Sequence, residues 1–405
     1  MNPAGYHEVR DWTEALAAPL TAEDQTVQSM PDVSPTKWHR AHTTWFFETF
    51  LLRPLSPGYR AYDERYAYLF NSYYEAVGPR FARHQRGLIS RPGVEEVAAY
   101  RGHVDAEMTD LLQCGFPALA EPLVVLGLHH EQQHQELLLM DIKNVLSVNP
   151  LRPAYRPSVP SAQASAGPGG WTGHPGGVLA VGHDGGGFCF DNETPRHEVL
   201  LRPFELADRL VTAAEWLAFI DDGGYLRPEL WMSEGWALAT SQDWQAPLYW
   251  ERADDRWSVF TLRGLEPLEG AVPVVHVSWF EADAYARWAG ARLPLEAEFE
   301  VVAPSPPACL WPAPYEPAAA SPEDPGQFYG QVWQWTASPY TPYPGFRPAP
   351  GAVGEYNGKF MVNQQVLRGS SCATPPGHAR RTYRNFFPPA ARWAFSGLRL
   401  ARDCS

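Results

Sequence analysis

The pattern of apolar residues changes near residue 150, and this change limits the folds open to the chain. Before that point, apolar residues recur at intervals of three and four, which is typical of amphipathic helices. Four helices are predicted, over residues 10–20, 34–53, 93–114 and 121–147. Residues 1–150 are therefore predicted to form a four-helix bundle, in which facing helices can supply metal ligands.

The remainder of the chain has a different composition. Residues 151–178 are rich in proline, glycine and serine, as linkers are. Residues 179–405 contain short strand-like segments rich in glycine, proline and tryptophan, with helices predicted only near 212–221 and 279–289. This mixture predicts a loop-rich α+β domain, so the chain as a whole is predicted to be multidomain, with an α domain followed by an α+β domain.

The predicted helix over residues 121–147 carries the most specific motif of the first domain. His130 and His134 are four residues apart, so both side chains project from the face that carries the apolar stripe. Two imidazoles one helical turn apart can bind a single metal ion. The alternative is a pair of core histidines that bond to their neighbours, because one such motif is a moderate signal.

A third histidine ligand is predicted on the helix that begins near Ser34. Ser34 resembles an N-cap, and Pro35 occupies the first helical position. His42 shares the apolar stripe with the neighbouring aromatic residues, whereas His39 is predicted on the opposite, polar flank. His42 is therefore the predicted partner of the histidine pair.

Three neutral imidazoles would suit Fe(II), because they leave three coordination positions open for substrates. A site with two histidines and one carboxylate is the commoner design, and Glu131 or Glu136 could supply that carboxylate. Helix rotation of about 100° per residue places Glu131 well off the histidine face. Zinc could also bind, but it is redox-inert and cannot activate O2.

Charge and cysteine usage narrow the partners and the compartment. The formal net charge of −14 argues against nucleic acid and anionic membranes as partners. No secretory signal and no long apolar segment is recognisable, so membrane insertion and secretion are not expected. The five cysteines are scattered and form no CxxC motif, which favours free thiols and a cytoplasmic location.

Several motifs resemble one enzyme family. Ala41-His42 and residues 130–134 resemble the DinB-like bundle of the non-haem iron sulfoxide synthases that make ergothioneine from hercynine. The C-terminal half resembles their formylglycine-generating-enzyme-like domain, a relative of C-type lectins. The matching runs, in the family's order, are residues 192–197, 222–225, 273–279, 292–298, 332–336 and 395–399. The resemblance extends over nearly the whole chain and includes the closely related selenoneine synthase.

The resemblance implies an activity and a cofactor. The family joins a thiol or selenol donor to the imidazole carbon of hercynine, with Fe(II) as cofactor and O2 as co-substrate. It implies that His42, His130 and His134 bind the iron and that Gln133 contacts the hercynine imidazole. A DinB-type thiol transferase is an alternative, but it would leave the second domain without a role. A lectin-type binding module would not explain the three histidines, and formylglycine generation is disfavoured because residues 380–384 contain no cysteine pair.

The resemblance also implies residues that bind hercynine. Asn385 and Phe386 match the motif for its trimethylammonium group, which has no hydrogen-bond donor and favours an aromatic face. Family members that use γ-glutamylcysteine carry Trp-Asp where this chain has Phe386 and Phe387. Because that carboxylate is missing, this chain is not expected to use γ-glutamylcysteine.

Other residues bear on the donor and on proton transfer. Arg83 and Arg86 repeat the family's spacing for carboxylate-binding arginines. Tyr73 and Tyr74 resemble the tandem tyrosines that donate a proton during the oxygen reaction in one branch of the family.

The identity of the donor stays open at the level of sequence. Gln331 and Gln334 stand where many relatives have acidic residues or asparagine, and Arg368 replaces the usual glycine. Neutral amides suit sugar hydroxyls, so these departures keep a selenosugar donor open as an alternative. Transfer of sulfur is the commoner activity in the family and is the preferred interpretation.

Overall fold

The computed structural model describes residues 3–114, 117, 120–157, 169–307, 315–321, 324 and 326–404. The chain divides into two compact units. The first comprises Met1–Arg156 and Ala349–Tyr356, and the second comprises Pro157–Pro348 and Asn357–Ser405. Residues 158–168 of the predicted linker and Cys309 lie outside the described residues. The boundaries predicted at residues 150 and 178 remain predictions.

The first unit is helical, as the sequence predicts, although its first helix spans Pro3–Ala17 instead of residues 10–20. Its helices are α1 (Pro3–Ala17), α2 (Thr36–Phe47), α3 (Arg53–Leu55), α4 (Tyr66–Leu69), α5 (Val94–Cys114) and α6 (Glu121–Val148). A π-helical turn, Glu48–Leu52, continues α2, and a 3-10 helix spans Arg83–Leu88. Among the longer helices, α1 and α2 each pack against both α5 and α6.

The apolar spacing of α5 explains how the first unit is held together. Val97, Tyr100, Val104, Met108 and Leu112 follow one another at three- and four-residue steps, and all are buried in one core cluster. Full burial of each such side chain stabilises the fold by about 1.5–3 kcal/mol. The stripe therefore fixes which face of α5 packs inward.

A buried ion-pair network links three of these helices. Glu131 of α6 is fully buried and accepts hydrogen bonds from Arg10 of α1, at 2.8 Å, and Arg101 of α5, at 3.0 Å. The hydroxyl of Thr13 donates to the same carboxylate at 2.7 Å. The prediction that Glu131 lies away from the histidine face is therefore confirmed.

The start of α2 differs from the prediction. The helix begins at Thr36, and no side chain caps its first turn. Ser34 is not an N-cap, because its backbone N–H donates to Asp141 at 2.8 Å and its hydroxyl accepts from Arg86 at 2.9 Å. These tertiary hydrogen bonds replace the local capping bond.

The described residues of the second unit form four small sheets. Their strands are β1 (Trp171–His174), β2 (Gly177–Val181), β3 (His197–Leu201), β4 (Phe204–Ala207), β5 (Trp250–Ala253), β6 (Arg256–Thr261), β7 (Gly264–Pro267), β8 (Trp333–Pro339), β9 (Gln365–Gly369), β10 (Asn385–Phe387), β11 (Ser396–Gly397) and β12 (Ala401–Asp403). The sheet orders are β1-β4-β12, β2-β3, β5-β6-β7 and β10-β9-β8-β11. Strand β1 lies inside the stretch that was predicted as linker from its composition. Its backbone pairs with β4, and such pairing does not depend on the composition of the side chains.

The remaining helices are α7 (Ala213–Asp221), α8 (Ser233–Ser241), α9 (Trp279–Trp288), α10 (Glu296–Val302) and α11 (Glu355–Gly358). The predictions of α7 and α9 are confirmed, and both begin with a capping box, formed by Thr212 with Glu215 and by Ser278 with Glu281. Helices α8 and α10 were not predicted, because their N-cap residues are Met232 and Leu295 and no serine or threonine side chain caps their first turn.

No helix in the described part of the chain is long and apolar enough to cross a membrane. The four cysteines that the structure describes, at positions 114, 189, 372 and 404, are free thiols.

Candidate metal centre

The structure brings His42 of α2 together with His130 and His134 of α6. One potential ligand atom from each residue lies within 4.8 Å of the other two. The ring centroids are 4.7 to 5.0 Å apart. His42 and His130 are buried, and His134 is half-buried. Among the described residues, this is the group of histidines, cysteines and carboxylates arranged to hold a metal ion.

The hydrogen bond made by His42 identifies its unprotonated nitrogen. Nδ1 lies 2.5 Å from the carbonyl oxygen of Phe70. A carbonyl oxygen can only accept, so Nδ1 carries the hydrogen and Nε2 keeps its lone pair. The imidazole also stacks between the indoles of Trp38 and Trp45, at 4.6 and 5.6 Å. Both contacts fix the orientation of the ring.

His130 supplies a test of whether a metal ion fits. Its Nδ1 is buried and has no hydrogen-bond partner in the part of the chain that the structure describes. An unsatisfied buried polar atom costs about 1–3 kcal/mol. Coordination of a cation by this nitrogen would remove that cost, so the residues present fit a divalent metal ion.

Burial keeps the three imidazoles neutral. It lowers the pKa of His130 to about 4. The pKa values of His42 and His134 also lie well below the usual range, because burial and then the neighbouring histidines disfavour the cation. Neutral imidazoles offer the lone pairs that a metal ion requires.

The position of His39 corrects the sequence prediction. His39 was expected on a polar flank, but it is only 3% exposed. Its Nδ1 lies 2.9 Å from Nδ1 of His134, and its Nε2 lies 3.1 Å from Asp141. Every residue of α2 is buried, because neighbouring elements surround the helix on its polar side too. The polar residues on this side of α2 therefore did not indicate exposure to solvent.

The tandem tyrosines occupy different environments. Tyr74 is buried against Trp45 and Phe50, at 5.5 and 5.2 Å between ring centroids, and burial raises its pKa. Tyr73 is half-buried, and its hydroxyl accepts a hydrogen bond from Arg83 at 2.8 Å. The phenol of Tyr73 is therefore the one with a cation beside its oxygen.

The two arginines are held in place by neighbouring residues. Arg86 is buried with its guanidinium 3.3 Å from the ring centroid of Trp38, and it donates to the hydroxyls of Ser34 and Ser72. Burial lowers its pKa to about 9, so it stays charged at neutral pH. Arg83 donates to Tyr73 and to the backbone oxygen of Asp32.

In each of these arginines the Nε nitrogen makes no hydrogen bond to the described residues. Both Nε atoms are buried. An anionic group could accept from these donors.

Gln133 is half-buried on α6, next to His134 in sequence.

Comparisons with known proteins identify the family. The chain is 34% identical to a protein named hercynine oxygenase from Mycolicibacterium smegmatis, over 93% of this chain and 92% of that protein. It is 33% identical to hercynine oxygenase from Mycolicibacterium thermoresistibile, over 92% and 88%. The chain belongs to the hercynine oxygenase family.

Two further matches agree with this assignment. The family model of the sulfatase-modifying factor enzyme 1-like domain matches residues 167–306 and 311–404. Ergothioneine biosynthesis protein 1 of Schizosaccharomyces pombe is 25% identical over 53% of this chain and 28% of that protein. The helical unit is thus followed by an α+β domain of the formylglycine-generating-enzyme type.

The predicted hercynine-binding residues of this family member lie in strand β10 of the second unit. Phe386 stacks on Tyr340, with centroids 4.1 Å apart, and on Phe360 at 5.8 Å. The side-chain oxygen of Asn385 accepts from the backbone N–H of Phe386 at 2.9 Å. Phe387 contacts Trp393 edge to face at 5.8 Å. All three residues of the strand are half-buried.

The departures that kept a sugar donor open as an alternative have structural roles. Gln334 is fully buried, donates to the backbone oxygen of Phe328 at 3.0 Å and accepts from Arg399 at 3.1 Å. Arg368 is fully buried and paired with Glu300. The interpretation of Gln334 as a sugar-binding amide is therefore wrong, because both ends of its amide are occupied by the protein itself.

Gln331 is also engaged, since its side-chain oxygen accepts from the backbone N–H of Ala318 at 2.8 Å. Because its side-chain oxygen is used in this contact, Gln331 gives no specific support for recognition of a sugar.

Sequence reasoning placed Asp141 on the histidine face of its helix but gave it no role, and it did not single out Glu355. Asp141 follows His134 by seven residues, which places it on the same helical face, so the spacing was a usable signal. Glu355 accepts from the backbone N–H groups of Glu75 and Ala76 at 3.0 and 2.9 Å. No local pattern signals that contact, because the partners are about 280 residues apart.

Proposed function

We propose that the protein is an Fe(II)- and O2-dependent enzyme that joins the sulfur or selenium of a small donor to the imidazole carbon of hercynine. The observation that carries this proposal is the convergence of three neutral imidazoles, from His42, His130 and His134, in a chain of the hercynine oxygenase family. We also propose that the helical unit is a DinB-like bundle and that the protein is cytoplasmic.

Iron is the metal that suits this chemistry. Joining carbon to sulfur at the expense of a C–H and an S–H bond removes two electrons, and oxidation of the joined sulfur to a sulfoxide removes two more. O2 is the proposed acceptor of all four electrons, with one oxygen atom in the sulfoxide and the other in water. Fe(II), when bound, would supply the redox chemistry for that oxidation, which zinc cannot do. Nε2 of His42, whose lone pair is fixed by the bond to Phe70, is one proposed ligand atom.

Tyr73 is the proposed proton donor. Its oxygen accepts from Arg83, so the phenol can donate its own hydrogen to a reacting group while a cation stabilises the developing negative charge. Tyr74 is the weaker candidate, because it packs among buried aromatic rings.

The two substrates need different binding groups. The stacked rings of Phe386 and Tyr340 offer aromatic surface to the trimethylammonium group of hercynine, and Asn385 lies beside them. Arg83 and Arg86 are proposed to bind a donor carboxylate through their unpaired Nε donors. Gln133 is proposed to contact the hercynine imidazole.

Cysteine is the donor that we favour. The unpaired arginine donors suit its carboxylate, while Phe387 offers no carboxylate for the amine of γ-glutamylcysteine. A selenosugar donor, which would make the protein a selenoneine synthase, remains the alternative. Gln334 does not support this alternative, because both ends of its amide are bonded to the protein itself.

One experiment tests the proposal. The apo protein is loaded with Fe(II) without oxygen, then exposed to air with hercynine and each donor in turn, and the products are analysed by mass spectrometry. The expected product carries the donor sulfur or selenium on the hercynine imidazole, in air only. A Zn(II)-loaded sample is the control. Product formation by that control, or without O2, would contradict the proposal and favour a thiol transferase.

A further inference from the structure

A chain of buried polar side chains extends from the histidine cluster toward the far end of α6. His134 Nδ1 lies 2.9 Å from His39 Nδ1, and His39 Nε2 lies 3.1 Å from Asp141 Oδ2. His39 and Asp141 are each only 3% exposed. His39 itself is outside the group arranged to hold a metal ion, so it requires a different explanation.

The hydrogen-bonding capacities assign a direction to this chain. A carboxylate is an acceptor, and Asp141 Oδ2 also accepts from the backbone N–H of Ser34 at 2.8 Å. His39 must therefore carry its hydrogen on Nε2, which leaves a lone pair on Nδ1. That lone pair accepts the hydrogen on His134 Nδ1, and the remaining lone pair of His134 is on Nε2.

The opposite direction is unfavourable. A hydrogen on His39 Nδ1 would leave the lone pair of Nε2 facing the carboxylate of Asp141 at 3.1 Å. It would also place the hydrogen of His134 on Nε2, where it would block coordination through that nitrogen. The observed geometry thus selects one tautomer in both rings.

We propose that His39 and Asp141 are positioning residues that hold His134 in the tautomer and orientation needed to present Nε2 to the metal. The proposal rests on the metal site of the proposed function. Hydrogen bonds from metal-bound histidines to carboxylates or carbonyls raise ligand basicity and fix the ring. His42 obtains this support from a backbone carbonyl, whereas His134 obtains it through a second histidine and a carboxylate.

The test measures metal binding rather than turnover. Co(II) alone is titrated into the full-length apo protein in competition with a chromophoric chelator. Loss of an outer hydrogen-bond partner typically costs 10–100-fold in metal affinity, so His39→Ala is expected to weaken Co(II) binding by about that factor. The visible absorption bands of bound Co(II) are expected to shift as well, because the orientation of His134 is relaxed.

Two variants separate positioning from simple packing. His39→Gln retains an acceptor for His134 and a donor for Asp141, so it is expected to restore most of the lost affinity. His129→Ala is the matched control, because His129 neighbours the ligands in sequence and is outside the metal group. This control is expected to match the wild type in affinity and spectrum. A wild-type affinity and spectrum for His39→Ala would overturn the proposal.

Two more variants make the result decisive. Should His39→Ala not fold, Asp141→Asn takes its place, since it keeps the size and an acceptor oxygen but removes the charge. It is expected to weaken binding by a smaller factor, and wild-type binding would overturn the proposal. His134→Ala tests the underlying metal site. Unchanged Co(II) binding by His134→Ala would contradict the proposed function. If only the proposal for His39 and Asp141 is wrong, His134→Ala would still bind Co(II) weakly.

Discussion

At the scale of single residues, helix spacing predicted much of the histidine cluster but not the residues around it. The selection of His130, His134 and His42 needed only the regular rotation of the helix, which is a local property. The burial of His39 depends on what packs against the polar side of α2, and no local pattern contains that information. Polar residues are buried when partners such as Asp141 satisfy them.

Tyr73 can be separated from Tyr74 by paired substitutions. Removal of a proton donor typically lowers the rate by 10²–10⁴-fold, so Tyr73→Phe is expected to reduce kcat by about that range while the affinity for hercynine is preserved. Tyr74→Phe is the matched control, since its ring packs in the core and keeps its shape. Steady-state kinetics and product analysis provide the measurement. Unchanged product ratios in both single variants and in the double variant would remove tyrosine from the mechanism.

Phe386 provides a test of cation recognition. Loss of its aromatic face in Phe386→Ala is expected to weaken hercynine binding by about 1–2 kcal/mol, as judged from cation–π energies. Binding of hercynine and of plain histidine, which lacks the trimethylammonium group, is compared by calorimetry. Equal weakening for both ligands would show that the ring acts only by packing against Tyr340.

At the scale of secondary-structure elements, helices with a long periodic pattern or a capping box were predictable, and short helices without a capping serine or threonine were not. Helices α5 and α6 repeat their apolar positions over several turns, so their patterns are unambiguous. Helices α8 and α10 have seven to nine residues, and tertiary packing rather than periodicity defines them. Strand β1 was missed because its pairing with β4 is remote in sequence.

The segment Ala349–Tyr356 supports the loop that carries Tyr73. The Glu355 carboxylate accepts from two consecutive backbone N–H groups of that loop, at Glu75 and Ala76. Glu355→Ala is expected to lose about 1–3 kcal/mol of local stability, because hydrogen bonds to a charged acceptor are removed. Faster amide exchange in residues 71–78 would register this loss. Glu75→Gln, which breaks only the exposed pair with Arg80, is the control, and equal exchange in the two variants would contradict the prediction.

The network around Glu131 predicts a pH-dependent stability. Burial would raise the pKa of Glu131, but Arg10 and Arg101 outweigh it and lower that pKa below its usual value. The stabilisation is then present above the pKa of the unfolded state, about 4.3, and is lost as the pH falls through the lower pKa of the folded state.

Glu131→Gln is therefore expected to destabilise the protein near neutral pH by about 3–5 kcal/mol, since two buried arginines lose their counter-charge. Urea denaturation at a series of pH values measures this difference. The gap between wild type and variant is expected to be constant from neutral pH to about pH 5 and to shrink below about pH 4. A gap that widens on acidification would show that the sign is wrong.

At the scale of the whole molecule, the order of an α domain and an α+β domain could be predicted, because composition and periodicity are properties of long stretches. The assignment of Ala349–Tyr356 to the first unit could not, since these residues lie about 280 positions from the loop they contact. The identity of the sulfur or selenium donor could not be predicted either, because no single motif in the sequence determines it.

Cysteine and a selenosugar differ in the groups through which the enzyme can bind them. Cysteine carries a carboxylate, whereas a sugar offers neutral hydroxyls. Arg83→Ala combined with Arg86→Ala is expected to abolish most cysteine turnover and to affect a selenosugar much less. Both arginines also support the site, because Arg86 lies over Trp38 and Arg83 bonds to Tyr73.

Cysteamine, which is cysteine without the carboxylate, removes this ambiguity. The wild type is expected to prefer cysteine in kcat/KM, and the double variant is expected to lose that preference even where its overall rate falls, because the preference reports the carboxylate contact alone. An unchanged preference would show that the arginines act only through packing. Efficient turnover of a selenosugar with hercynine, together with negligible turnover of cysteine, would instead assign the protein as a selenoneine synthase.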